Sequence, residues 1–176
     1  VEDGPIRTIV EAELEWNHSK VVQSYILPKD GTSFEISQYI IWNEADKILK
    51  WEIPTTVEGQ YIGQGMFGSG ELPMDGTECV SQKWCGLFDE EKALTIANDG
   101  IYGSHCLEDT IYLSLLRAPA YANHPIYPLD STELRKLVHE ERFIPRVDQG
   151  VHRLSFVVCG EDAKEELRKN IRFGAL

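Results

Sequence analysis

"IRTIVEAELEW", residues 6–16, decides the fold class. Ile6, Thr8, Val10, Ala12, Leu14 and Trp16 fall on one face of an extended chain, and Arg7, Glu11, Glu13 and Glu15 fall on the other. A period of two is the period of a β-strand, so this is a long, half-buried strand. "NHSK" turns it, "VVQSYIL" returns, and "PKDGTS" carries strong turn chemistry. "FEISQYIIWN" then aligns Phe34, Ile36, Ile40 and Trp42, interrupted by Gln38, and "KILKWEIP" puts Leu49, Trp51 and Ile53 on one side. Strands with turns spaced about 10 residues apart are the rhythm of an all-β sandwich.

Four more strands are expected at "ECVSQKW", "ALTIA", "TIYLSLL" and "HRLSFVV". The glycine-rich "YIGQGMFGSGELPMDG" reads as irregular. Helical signals are confined to two places. Residues 130–140 open with Asp130 and Glu133 at capping-box spacing and carry Leu134, Leu137 and Val138; residues 162–173 open with Asp162 and Glu165 and carry Leu167 and Ile171. Both are expected to be short and peripheral.

The 176 residues suit one domain with a real core, and 42% hydrophobic with 26% charged residues is a globular balance. Lys+Arg number 17 against 29 Asp+Glu, a net charge of −12. That field repels nucleic acid and anionic membranes, so neither is an expected partner. No apolar run approaches the roughly 20 residues of a membrane helix, and there is no signal peptide. The chain starts at Val1, already in what reads as the entry to a strand, so an excised piece of a longer multidomain protein is expected. Cys79, Cys85, Cys106 and Cys159 show no CxxC spacing and are read as free thiols of a reducing, cytoplasmic compartment. His105 and Cys106 are neighbours in a strand pattern and would point to opposite faces, so no metal site is assigned in this chain.

"TIANDGIYGSH", residues 95–105, is the most chemically suggestive stretch. Asn98-Asp99-Gly100 is hairpin-turn chemistry. Tyr102 stands between two glycines, where its ring can lie against a sugar face while Asn98 and Asp99 bond hydroxyls. The alternative is a plain turn whose glycine supplies a positive φ. Arg117 ends "LSLLRAP" just before a loop, and suits either a carboxylate partner or a ligand. Asp148, Gln149 and Gly150 read as a turn before a strand on which His152 alternates with Leu154 and Phe156 as a packed residue. Trp16, Trp42, Trp51 and Trp84 all sit in strand patterns and are expected in the core. GxSxG, P-loop, HExxH and His-x-Asp motifs are all missing, so no catalytic residue is assigned.

Five motifs in order carry a resemblance. They are "EDGPIRTIVEA" at 2–12, "DG…CVSQKWCGLFD" at 75–89, "ANDGIYG" at 97–103, "LSLLRAPAY" at 113–121 and "RVDQGVHRLSF" at 146–156. Together they resemble the C-terminal region of glycoside hydrolase family 38, the α-mannosidases, and segment 119–148 resembles its bacterial branch. The resemblance implies a large antiparallel sandwich similar to the galactose mutarotase supersandwich. It also implies a parent enzyme that cleaves α-mannosides with retention, using zinc and two carboxylates. Those groups belong to an N-terminal α/β domain, which would be this chain's partner, and copies of such enzymes often associate. In the family, the loop at the NDG position approaches the active-site pocket across the domain interface. Asn98, Asp99 and Tyr102 would then line a mannose subsite, with Arg117 and Asp148 touching substrate or bracing the loop. A stand-alone carbohydrate-binding module, a mutarotase-like enzyme and a purely structural domain with an apolar docking face are the competing readings.

Overall fold

The computed structural model describes residues 1–120 and 145–162. They form thirteen strands in two antiparallel sheets, the β-sandwich expected. The chain first lays down β1 (Glu2–Asp3), β2 (Arg7–Trp16), β3 (Ser19–Pro28) and β4 (Ser33–Trp42) as a meander. It crosses to β5 (Ile48–Pro54), returns for β6 (Gln60–Gln64) and β7 (Ser69–Glu71), and crosses again to β8 (Cys79–Val80). A pair follows in the first sheet, β9 (Trp84–Phe88) and β10 (Lys92–Asn98). Another follows in the second, β11 (Gly103–Leu107) and β12 (Thr110–Arg117). Last comes β13 (Gly150–Asp162), which inserts between β4 and β10. The large sheet therefore runs β1-β2-β3-β4-β13-β10-β9-β6-β7, and the small one β5-β12-β11-β8.

The core lies between the sheets. Ile36, Ile40, Tyr61, Leu87, Ile96 and Phe156 of the large sheet face Cys106, Ile111 and Leu113 of the small one. Trp51 of β5 packs on Phe156 of β13 with ring centroids 4.9 Å apart. The Tyr61 hydroxyl donates to Ser104 Oγ (2.7 Å) and ties β6 to β11 across the core.

Three strand expectations need correction. The stretch 61–76 is not irregular, because it contains β6 and the β7 hairpin. "ECVSQKW" is not one strand: Cys79–Val80 belong to the small sheet, Trp84 opens β9 in the large one, and 81–83 carry the chain across. β9 itself has no alternation to read, since "WCGLF" is buried on both faces. Gly86 in its middle is obligatory, as a Cβ there would stand 2.5 Å from the Leu94 carbonyl oxygen.

β2 is the largest departure. It forms where expected, but its apolar face is not covered. Leu14 is 57% and Trp16 53% exposed, and Ile6 and Val10 are also exposed. The sheet order gives the reason. β5 is the edge of the small sheet and sits over β13, whereas β1–β3 continue past it on the far side of β4. Of the four tryptophans, Trp42 and Trp84 are buried, Trp51 is half-buried, and Trp16 is outside the core. The segment 130–140, read as helical, lies outside the described residues, as does 162–173 beyond Asp162, which ends β13.

Candidate functional site

The NDG loop leaves the large sheet at the end of β10 and enters the small sheet at β11. Asn98 organises it. Its Oδ1 accepts from the amides of Gly100 (3.1 Å) and Ile101 (2.7 Å), and its Nδ2 donates to the Gln82 carbonyl (3.3 Å). Its own amide donates to the Lys83 carbonyl (2.8 Å). This is the local side-chain-to-backbone bonding for which asparagine is favoured in turns. Gly100 has φ +101°, a conformation that side chains resist. Asn98 is buried and fully engaged inside the loop, so the side chains the loop offers outward are Asp99 and the 51% exposed Tyr102. The Asp99 amide is held by the Ser155 carbonyl (3.3 Å), and the Tyr102 carbonyl by the Ser81 amide (3.0 Å).

At the foot of the loop, on the outer face of the large sheet, is a hollow of about 250 Å³. Glu35, Ser37, Asp99 and Ser155 rim it, and Ala97 and Val157 are in its lining. Stand-alone ligand pockets run to roughly 300–1,000 Å³. The hollow falls below that range. A larger hollow of about 530 Å³, bordered by Glu58, Met74, Glu108 and Asp109, lies at the β11–β12 turn and involves none of the sequence-derived candidates.

Arg117 and Asp148 come together elsewhere. The Arg117 amide donates to Asp148 Oδ2 (3.3 Å), and the Asp148 carbonyl meets His152 Nε2 at 2.8 Å. A bulge in β12 between Ser114 and Leu116 buries both Leu115 and Leu116 and turns Arg117 outward. Asn98 pairs with Phe156, six strand residues from Gly150, which is roughly 20 Å along β13. The five candidates thus form two groups, the NDG loop and an Arg117–Asp148 corner.

Sequence reasoning missed a polar cluster on the outer face of the small sheet. Glu78 accepts from Lys50 (2.5 Å) and from Ser114, and lies 3.3 Å from His105 Nδ1. Lys50 Nζ also meets His105 Nδ1 at 2.8 Å, and the imidazole stacks on Tyr112 with centroids 4.5 Å apart. Burial pushes the Glu78 carboxyl up, but the hydrogen bonds from Lys50 and Ser114 outweigh it and hold it below the usual carboxylate range. The residues come from β5, β11, β12 and the approach to β8, and no spacing in the sequence joins them. Every group in the cluster is satisfied by another, which is the signature of bracing.

Cys79, Cys85 and Cys106 are unbridged thiols. Burial pushes the Cys85 and Cys106 thiols up to about 11, so both stay protonated and unreactive at neutral pH. His105 and Cys106 point to opposite faces, the first toward the polar cluster and the second into the core. Among the described residues, no three His, Cys, Asp or Glu side chains are placed to hold a metal.

Residues 1–125 match the family model of the glycosyl hydrolases family 38 C-terminal domain. Alpha-mannosidase G of Dictyostelium discoideum is 28% identical to this chain over a match covering 68% of the chain and 12% of that protein. A glycosyl hydrolase family 38 protein from Enterococcus faecalis superposes with TM-score 0.65 at 18% identity, covering 84% of this chain and 17% of that one. An α-mannosidase from Enterococcus faecalis V583 gives 0.63 at 16% identity, covering 84% and 16%. The two solved structures share the fold. This chain spans less than a fifth of the length of each of these relatives.

Proposed function

The chain belongs to the glycosyl hydrolase family 38 C-terminal domain family, and from that premise we propose that it is the C-terminal sandwich of a longer α-mannosidase, whose substrate pocket it helps to complete. The observation that carries this reading is the division of labour in the NDG loop. Asn98 is consumed in holding the backbone, and Asp99 and Tyr102 are presented outward from a rigid base. A carboxylate can accept from sugar hydroxyls, and a tyrosine ring can cover a sugar face. On this reading they position substrate and do not react with it.

Among the described residues, no ligand set for the family's zinc comes together. The zinc ion and the two carboxylates of a retaining glycosidase therefore fall, in this proposal, to the N-terminal catalytic domain of the same polypeptide. Arg117 and Asp148 are assigned to holding the end of β12.

The test is kinetic. In the full-length parent, Asp99→Ala and Tyr102→Ala are each assayed on an aryl α-mannoside. Losing one hydrogen bond or one ring contact of about 0.5–1.5 kcal/mol raises KM roughly 2- to 13-fold, with kcat and thermal stability little changed. Unchanged KM in both variants would overturn the pocket-completing role.

A further inference from the structure

The β6–β7 hairpin ends in Gly65-Met66-Phe67-Gly68, closed by the Gly65 amide on the Gly68 carbonyl (2.7 Å). Phe67 is 97% exposed and Met66 75% exposed. Two large apolar side chains held side by side in water on a tight turn add nothing to this domain's own core, and exposed apolar groups of this kind mark contact surfaces.

The base of this hairpin is tied to the NDG loop. The Gln64 carbonyl accepts from the Gln82 amide (2.9 Å), and Gln64 Oε1 accepts from the Lys83 amide (2.9 Å). The carbonyls of Gln82 and Lys83 in turn accept from the Asn98 side chain and amide. Ser81, next in line, bonds Tyr102. One hydrogen-bonded strip therefore fixes the Met66–Phe67 tip relative to Asp99 and Tyr102. Val80, 73% exposed, adds a further apolar side chain along it.

We propose that the Met66–Phe67 tip is an anchor that seats in an apolar recess of the catalytic portion of the parent polypeptide, and so sets the NDG loop against the substrate pocket. The inference rests on the reading of this chain as one domain of a longer enzyme. Three observations select this occupant. More than four-fifths of each relative's length lies outside the region matched here. The tip is continuous with the loop that is proposed to reach that domain. A second copy would bring together two chains of net charge −12, which repel one another.

The test follows one side chain, Met66. The full-length parent is treated with hydrogen peroxide, with free methionine in the same tube as a reference. Sulfoxide at Met66 is followed by peptide mass spectrometry. Seated in a recess, Met66 oxidises at least about tenfold slower than free methionine, and Phe67→Ser, which weakens the anchor, brings its rate back toward the reference. Oxidation of Met66 in the unmodified enzyme at the rate of free methionine overturns the proposal. So does protection that fades on dilution, which would mean a second copy. Failure here is separable from failure of the pocket reading. A protected Met66 with unchanged KM in Asp99→Ala and Tyr102→Ala keeps the anchor and removes the pocket role. The reverse pattern removes the anchor alone.

Discussion

Asn98 and Asp99 are adjacent, both polar, and both in the same turn, yet Asn98 is turned inward and Asp99 outward, and stability measurements separate them. Asn98→Ala deletes the acceptor for two amides and the donor to Gln82. Ile101 is buried, so its amide loses its partner away from water, which costs about 1–3 kcal/mol. The Gly100 and Gln82 bonds are nearer the surface and together add about 1 kcal/mol. The expected loss is about 2–4 kcal/mol, or roughly 4–16 °C in Tm for a chain of this size. Asp99→Ala touches an exposed side chain and stays within about 0.5 kcal/mol. Asn98→Asp keeps both accepted bonds and loses only the Gln82 contact, so it falls between, at about 1 kcal/mol. Urea unfolding followed by tryptophan fluorescence, with matched m-values, reads all three. An Asn98→Ala variant no less stable than Asp99→Ala would refute the bracing role.

Two further outcomes follow from burial and charge. Trp84→Ala, in a fully buried site against Phe88, costs about 3–5 kcal/mol, whereas Trp16→Ala on the uncovered end of β2 costs under about 1 kcal/mol; comparable midpoint shifts in urea would contradict the described sheet order. Glu78 has its pKa lowered in the folded chain, so the stability it contributes is present above the unfolded carboxylate value and is lost as pH falls through the lower folded value. The stability gap between the native chain and Glu78→Gln therefore narrows from pH 7 toward pH 3, and a gap of constant size across that range rules the mechanism out.

The fold class was legible because β2, β4 and β5 each keep a period of two, with turn chemistry between them. What alternation does not carry is coverage. The pattern in residues 6–16 puts Val10, Leu14 and Trp16 on one face, but whether a second sheet reaches that face depends on the order of strands far away in sequence. β9 escaped notice for the opposite reason, because a strand buried on both sides shows no alternation. β6 and β7 were hidden by glycines, which read as irregularity although they serve a tight hairpin. At the site, the NDG turn was visible from residue type. That Asn98 is spent internally while Asp99 and Tyr102 face out needed coordinates. The Glu78–Lys50–His105 cluster could not be read at all, since its members lie on different strands and no spacing links them.

β13 has a consequence for how the chain is made. Its neighbours in the large sheet are β4, which ends at Trp42, and β10. On a ribosome adding roughly 5–20 residues per second, the open edge of β4 waits roughly 5–20 s for Gly150 and its successors to emerge. Until then the molecule holds two unjoined ribbons, β1–β4 and β10-β9-β6-β7, each with a bare edge able to pair wrongly. Late closure by a distant strand makes for slow folding. A truncation before Gly150 would leave those ribbons permanently unjoined, so assembly of the sheet depends on β13, the last of the described strands to emerge.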